Sequence, residues 1–442
     1  MTLGLPTDRF GLPITTASPQ ALDLYDDTID RLFVLQPGGD ALIDEALALD
    51  PDFALAHCAK ARTLMVAGDA RAGRATARRA RDLAERLTPR ERGHARVVSM
   101  VLNGEPLAAS LEAVREHAAA YPRDAVPLSF ALGVYGLLGF GGFADFVDRQ
   151  VALLEGVASA WGDDWWYLAA LGWAQVEAGR AEVGIPMLDR ALELTPDNAN
   201  AVHGRTHGYY EQGAAAEGEA FIGSWLPRYD RSAPLHGHLG WHQALFALQR
   251  GAAERAVSIY LASVSPNASQ ALPMFTMIDC AAFATRCALY GHPLPPDELR
   301  AIADFAERHF PKPGVPFVNV HQALTQAVAG RSSALAAWNS AVDAILGLGR
   351  QASGPVVADI CQAVSAFAEG RFRDAAMSLE GVLLDVPRLG GSGAQRDVFI
   401  DLAIVAYRLD GDPAAAEALA RSRWRARAGH LDESWLTGLP LS

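Results

Sequence analysis

The sequence predicts an all-α protein, a right-handed α-solenoid built from about ten helical hairpins. Two observations carry this expectation. Glycines that close one apolar helical stretch and precede a second fall at Gly68, Gly104, Gly139, Gly179, Gly213, Gly251, Gly291, Gly330, Gly370 and Gly411, at successive spacings of 34 to 41 residues. Glycine suits a helix C-terminus because it takes the left-handed conformation without strain. Between these glycines the chain is rich in Ala, Leu, Glu and Arg with apolar residues at helical spacing, as in GIPMLDRALEL, and no sustained alternation argues for strands.

One unit sets the register. In LAALGWAQVEAGRAEVGIPMLDRALELTP, residues Leu171, Gly172, Gly179, Gly184, Leu188, Ala191 and Pro196 occupy positions 7, 8, 15, 20, 24, 27 and 32 of the tetratricopeptide pattern, with Gln175 where an aromatic is expected. Small residues at positions 8 and 20 let two helices approach, and the proline ends the second. In such an array the first helices line a concave face and the second helices form the outside. The chain is therefore expected to be one continuous array, with a capping segment over 1–50, repeats over 51–430 and a tail over 431–442.

The 442 residues are half apolar, enough for a large core, and 38 basic against 51 acidic residues leave a net charge of −13. That charge opposes non-specific binding to nucleic acid or to anionic lipid, so neither is expected as a partner. The N-terminus MTLGLPTDRFGLPITT lacks a basic segment followed by an apolar core, and no run of about 18 apolar residues occurs. Cys58, Cys280, Cys287 and Cys361 read as buried thiols of a reducing compartment. The expectation is a cytoplasmic protein; the oligomeric state is left open.

The register turns attention to AVHGRTHGYYEQG. With Gly213 at position 15, His203, His207, Tyr210 and Glu211 take positions 5, 9, 12 and 13, which face the groove in tetratricopeptide repeats. In HLGWHQALFALQRG, His238, Trp241 and His242 take positions 2, 5 and 6; His321 takes position 6 two units later, and His94 takes position 5 in the N-terminal part. Six of the twelve histidines thus point inward. Trp166 and Trp173, at positions 2 and 9 of the preceding repeat, are expected to wall the same pocket.

Two chemistries suit that set. Residues i and i+4 share a helix face, so His203, His207, His238 and His242 are candidate ligands for one transition metal, and zinc, iron, copper and nickel all accept imidazole. Alternatively His203, His207, His238, His242 and His321 serve as acid–base groups, since an imidazole titrates near neutrality; Tyr210 would then hold an oxyanion, and Glu211 or Asp401 would orient a ring. The segment RLGGSGAQRDVF places three glycines before a helix N-terminus, a set of backbone N–H groups suited to a substrate carboxylate or phosphate, with Arg396 and Asp397 beside it. Two function classes follow. One is a pocket for a small molecule or short peptide, binding or catalytic; the other is a non-catalytic scaffold for peptides or proteins along the concave face.

TTASPQALDLYDDTID, LTPRERGH, TPDNANAVHGRTH, HLGWHQALFALQRG and RLGGSGAQRDVF resemble the tetratricopeptide repeat protein 38 family. The resemblance implies an all-helical repeat protein, with His203, His207, His238, Trp241, His242, His321 and the Gly390–Asp397 segment as the matching positions. It carries over no catalytic residues.

Overall fold

The computed structural model describes residues 5–349 and 352–426. These residues form helical hairpins: α1 (Pro19–Val34) with α2 (Gly39–Leu49), α3 (Ala54–Val66) with α4 (Ala70–Ala84), α5 (Pro89–Asn103) with α6 (Leu107–Ala120), α7 (Ala125–Ser129) with α8 (Phe146–Glu155), α9 (Trp165–Glu177) with α10 (Ala181–Leu194), α11 (Ala199–Glu211) with α12 (Ala215–Trp225), α13 (His236–Gln249) with α14 (Ala253–Ser263), α15 (Pro273–Leu289) with α16 (Pro296–His309), α17 (Pro316–Val328) with α18 (Ser332–Gly347), α19 (Val356–Ala368) with α20 (Phe372–Val382), and α21 (Gly393–Leu409) with α22 (Pro413–Ala426). No β-strand occurs among the described residues; one isolated bridge joins Thr7 and Pro13. The expected tail over 431–442 lies outside the described residues.

The glycine register holds at nine of its ten positions, where each glycine has positive φ; Gly139 is the exception. It sits in a 3-10 turn, Gly139–Gly141, and the first helix of that repeat shrinks to the five residues of α7. The segment expected to cap the N-terminus is itself a hairpin. Its turn carries two left-handed residues, Leu35 at φ 58° and Gly38 at φ 91°.

Local chemistry sets the helix starts. Thr88 caps α5 and Glu91 closes the capping box, with Pro89 at the first helical position. Glu91 also accepts from the Thr15 backbone N–H at 2.7 Å and the Thr15 hydroxyl at 3.0 Å, which ties the N-terminal stretch to the third hairpin. Asn198 caps α11, and Ser392 caps α21 in a second box with Gln395. Within the fifth hairpin, Gly184 lies against Gly172, and a Cβ there would collide with the Gly172 carbonyl. Gly184→Ala is expected to cost about 1–3 kcal/mol of unfolding free energy in urea titrations with the helical signal unchanged; an unaltered midpoint would show that the pair has room to spare.

Successive first helices pack side by side, α9 on α11, α11 on α13, α13 on α15, α15 on α17 and α17 on α19. The superhelix then closes on itself, since α21 packs across onto α15. Tyr210 on α11 donates to Asp397 on α21 at 2.8 Å, and the Arg388 guanidinium donates to the Gly142 carbonyl at 3.0 Å. Gly391, at φ +74°, approaches the Phe317 ring so closely that any side chain would overlap it. The glycines of RLGGSGAQRDVF therefore allow a turn to press onto the concave face. Cys58, Cys280, Cys287 and Cys361 are buried free thiols, and no described helix is long and apolar enough to cross a membrane.

Candidate metal centre

Because i and i+4 meet on one helix face, α11 presents His203 with His207 and α13 presents His238 with His242. One nitrogen from each of the four rings lies within 4.8 Å of the other three. His203 Nε2 is the hub, 2.9 Å from His207 Nε2 and 3.1 Å from His238 Nε2. His207, His238 and His242 are buried and His203 is half-buried.

The outer nitrogens of two rings are held by buried carboxylates. His238 Nδ1 lies 2.9 Å from Asp279 Oδ2, on α15. His207 Nδ1 lies 2.7 Å from Glu177 Oε1 at the end of α9, a contact bent away from the N–H axis. The other Glu177 oxygen accepts the Gly393 backbone N–H at 2.8 Å. Burial alone would raise the Glu177 carboxyl, but His207, Arg396 and the Gly393 N–H pull it down to about 2, so it is ionised. Both histidines thus turn Nδ1 towards a carboxylate and Nε2 inward, towards His203.

Neutral rings cannot satisfy that arrangement. His203 Nε2 carries either one hydrogen or one lone pair, yet it faces two nitrogens. With a hydrogen it serves one neighbour and leaves the other lone pair opposed. With a lone pair it needs both neighbours to be imidazolium cations, buried side by side. Burial, then the neighbouring rings, push His203 and His242 well below the usual imidazole range, so both are neutral. Neither His242 nitrogen has a hydrogen-bond partner among the described residues, although the ring is fully buried. A metal ion among the four rings would take these lone pairs together. At the roughly 2.0–2.1 Å metal–imidazole distance, adjacent ligand nitrogens stand roughly 2.9–3.4 Å apart, the separations seen about His203. The carboxylates behind His207 and His238 fix ring orientation, and they would raise ligand basicity and offset the charge of a divalent ion.

Among the other expected residues, Trp241 stacks on His238 with centroids 5.3 Å apart and Trp173 meets His207 edge-on at 6.5 Å. Four expectations are corrected. His321 does not join the four rings: it sits on α17, its Nδ1 2.7 Å from the Phe317 carbonyl and its ring between Phe317 and Phe399. Its repeat position matches that of His242, but two repeats of displacement along the superhelix separate them. His94 is not in the groove; it is buried in a separate network, with Nδ1 3.0 Å from Asp124, which also accepts from Arg90 and lies 2.9 Å from His117. Trp166 belongs to the core, against Phe33 and Trp161, because the N-terminal hairpin covers it. Asp401 orients no imidazole; it pairs with Arg286 at 3.2 Å and Arg423 at 2.6 Å.

The Gly390–Asp397 segment also differs from expectation. Its helix N-terminus does hold an anion, but that anion is Glu177 of the protein itself. Arg396 reaches back to the Gly391 carbonyl, and Asp397 accepts from Tyr210. Glu211 is half-buried at the end of α11. The carboxylates that do orient the rings, Glu177 and Asp279, come from the flanking repeats. The signal for them was present as single acidic residues inside the apolar helices LAALGWAQVEAG and PMFTMIDCAAFATRC.

No family model matches the sequence. Solved structures similar to this chain include the human IFIT1 dimer with m7Gppp-AAAA, at 14% identity and TM-score 0.44, covering 94% of this chain and 97% of that one. The APC/C hetero-tetramer Cut9-Hcn1 is similar at 12% identity and TM-score 0.37, covering 92% and 87%. The TPR domain of P58(IPK) is similar at 13% identity and TM-score 0.21, covering 91% and 98%.

Proposed function

We propose that this chain is a metal-dependent protein that binds and acts on a small molecule inside a closed helical-repeat array, with His203, His207, His238 and His242 holding one divalent transition metal. The observation that carries this reading is the convergence of four imidazole nitrogens within 4.8 Å of one another, with contacts at 2.9 and 3.1 Å about His203 Nε2 that neutral rings cannot both satisfy. Glu177 and Asp279 support it from behind, as oriented carboxylates do in histidine metal sites. When bound, the ion supplies Lewis-acid polarisation of a coordinated oxygen. The protein positions the rings, keeps the His203 and His242 lone pairs unprotonated through burial, and excludes bulk water by pressing α21 and the Gly390–Ser392 turn against the concave face.

That same closure weighs against the scaffold alternative, because the turn occupies face that an extended peptide would need. The resemblance to the tetratricopeptide repeat protein 38 family fits this reading, since four of the matching positions are the proposed ligands. We place the protein in a reducing, cytoplasmic setting on its buried free thiols and read the repeats as a single unit. Untagged protein purified from metal-supplemented cells is expected to carry about one transition-metal ion per chain, and the apo protein to take up Co(II) to the same stoichiometry with a visible d–d band. Uptake no greater than that of an unrelated helical-repeat protein would overturn the proposal.

A further inference from the structure

Beyond the four rings, the concave interior contains a second group of buried polar atoms. Arg286 on α15 is fully buried; its Nε is 3.2 Å from Asp401 and its Nη2 2.7 Å from the Ala394 carbonyl, while Nη1 has no partner among the described residues. The guanidinium carbon lies 5.8 Å from the centre of the Trp241 ring, and that ring is 4.7 Å from His242. The Trp241 indole N–H is also buried without a partner. On the next first helix, His321 keeps its Nδ1 proton on the Phe317 carbonyl, so its buried Nε2 offers a lone pair, again without a partner; Thr325, one turn along the same face, has a buried hydroxyl in the same condition. Arg286 and His321 meet the same stretch of α21, Arg286 pairing with Asp401 and the His321 ring lying 6.0 Å from that of Phe399, and α15 packs on α17.

Buried polar groups in folded proteins are hydrogen-bonded as a rule, so three neighbouring helices that leave an arginine nitrogen, an indole N–H, an imidazole nitrogen and a hydroxyl unmatched present a recognition surface. We infer that the interior beside the four-histidine cluster is a binding site for a small hydroxycarboxylate, whose carboxylate is held by Arg286 Nη1 with the Trp241 indole as its wall and whose hydroxyl donates to His321 Nε2 beside Thr325. The inference rests on the metal reading for its place in a reaction, since it sets the ligand next to His242. A carboxylate is favoured over a phosphate because its two oxygens match the donors available, whereas a phosphate offers three oxygens and more charge than one guanidinium edge accommodates.

Calorimetric titration of the cobalt-loaded protein with 3-hydroxypropionate tests this. Saturable binding is expected, at least tenfold weaker for the neutral 3-hydroxypropanamide and for inorganic phosphate. Arg286→Lys keeps a cation for Asp401 but loses the guanidinium fork, and is expected to weaken 3-hydroxypropionate at least tenfold at unchanged cobalt stoichiometry. Thr325→Val, nearly isosteric, is expected to weaken 3-hydroxypropionate severalfold and leave propionate unaffected, and it decides the matter if Arg286→Lys fails to fold. Equal binding of acid and amide, phosphate binding as tight as the acid, or wild-type affinity in the variants that fold would overturn the inference while leaving the metal centre standing. A chain that takes up no cobalt would overturn both.

Discussion

His242→Leu is expected to remove the metal and, at the same time, to stabilise the metal-free protein. The ring is fully buried with neither nitrogen partnered among the described residues. An unsatisfied buried polar group costs about 1–3 kcal/mol, so a leucine of similar volume should raise the apo protein's unfolding free energy by about 1–2 kcal/mol. Metal affinity should fall by more than the roughly 10–100-fold that loss of an outer carboxylate costs in such sites, and the variant's Tm should no longer rise on adding cobalt. The two effects have opposite signs, which packing alone does not produce. A variant less stable than wild type in the apo state and still responsive to metal would sink the assignment.

The pH dependence of the apo protein follows from the same burial. His203 and His242 are held well below the usual imidazole range, and burial pushes His321 down to about 4. Between about pH 6.5 and those folded values the unfolded chain binds protons that these rings refuse, so stability rises with pH across that window. Each ring contributes a loss of about 1.4 kcal/mol per pH unit as the pH falls while its folded form stays neutral. Urea midpoints measured at pH 7, 6 and 5 should therefore drop steeply for wild type and less steeply for His242→Leu; parallel curves would contradict the assigned burial.

Asp124→Asn is expected to give a large loss of stability and no loss of metal. Asp124 is buried among Arg90, His94 and His117, with the Arg90 Nε donating at 2.8 Å. Burial would raise its carboxyl, but His94, Arg90 and His117 hold it well below the usual carboxylate range. Removing one partner of such a network costs about 3–5 kcal/mol, because the remaining charge is left buried. The sign follows from the depressed pKa: the stabilisation is fully present above the unfolded value near pH 4 and is lost as the pH falls towards the folded one. The deficit of Asp124→Asn is thus largest at neutral pH. Metal stoichiometry should remain that of wild type, because this network is separate from the four rings; a loss of metal in a folded variant would place His94 in the site after all.

The sequence by itself determined the helical hairpins, their glycine turns and the two pairs of histidines four residues apart, because helix periodicity and left-handed turn glycines are local properties read within one repeat. It also placed Trp173 and Trp241 beside those histidines, since adjacent repeats pack in register. Only the tertiary structure decided which carboxylates stand behind the rings. Glu211 shares a helix with His203 and His207, yet Glu177, at the equivalent position one repeat earlier, is the residue that meets His207, because first helices of neighbouring repeats lie side by side and a ring reaches across rather than along. His94 and Trp166 occupy groove positions by count, but a buried Asp124 and the N-terminal hairpin claim them, and neither partner lies within their own repeat. The closure that brings Gly393 to Glu177 spans 216 residues. No local pattern encodes such a contact, since it depends on the summed displacement of every intervening hairpin.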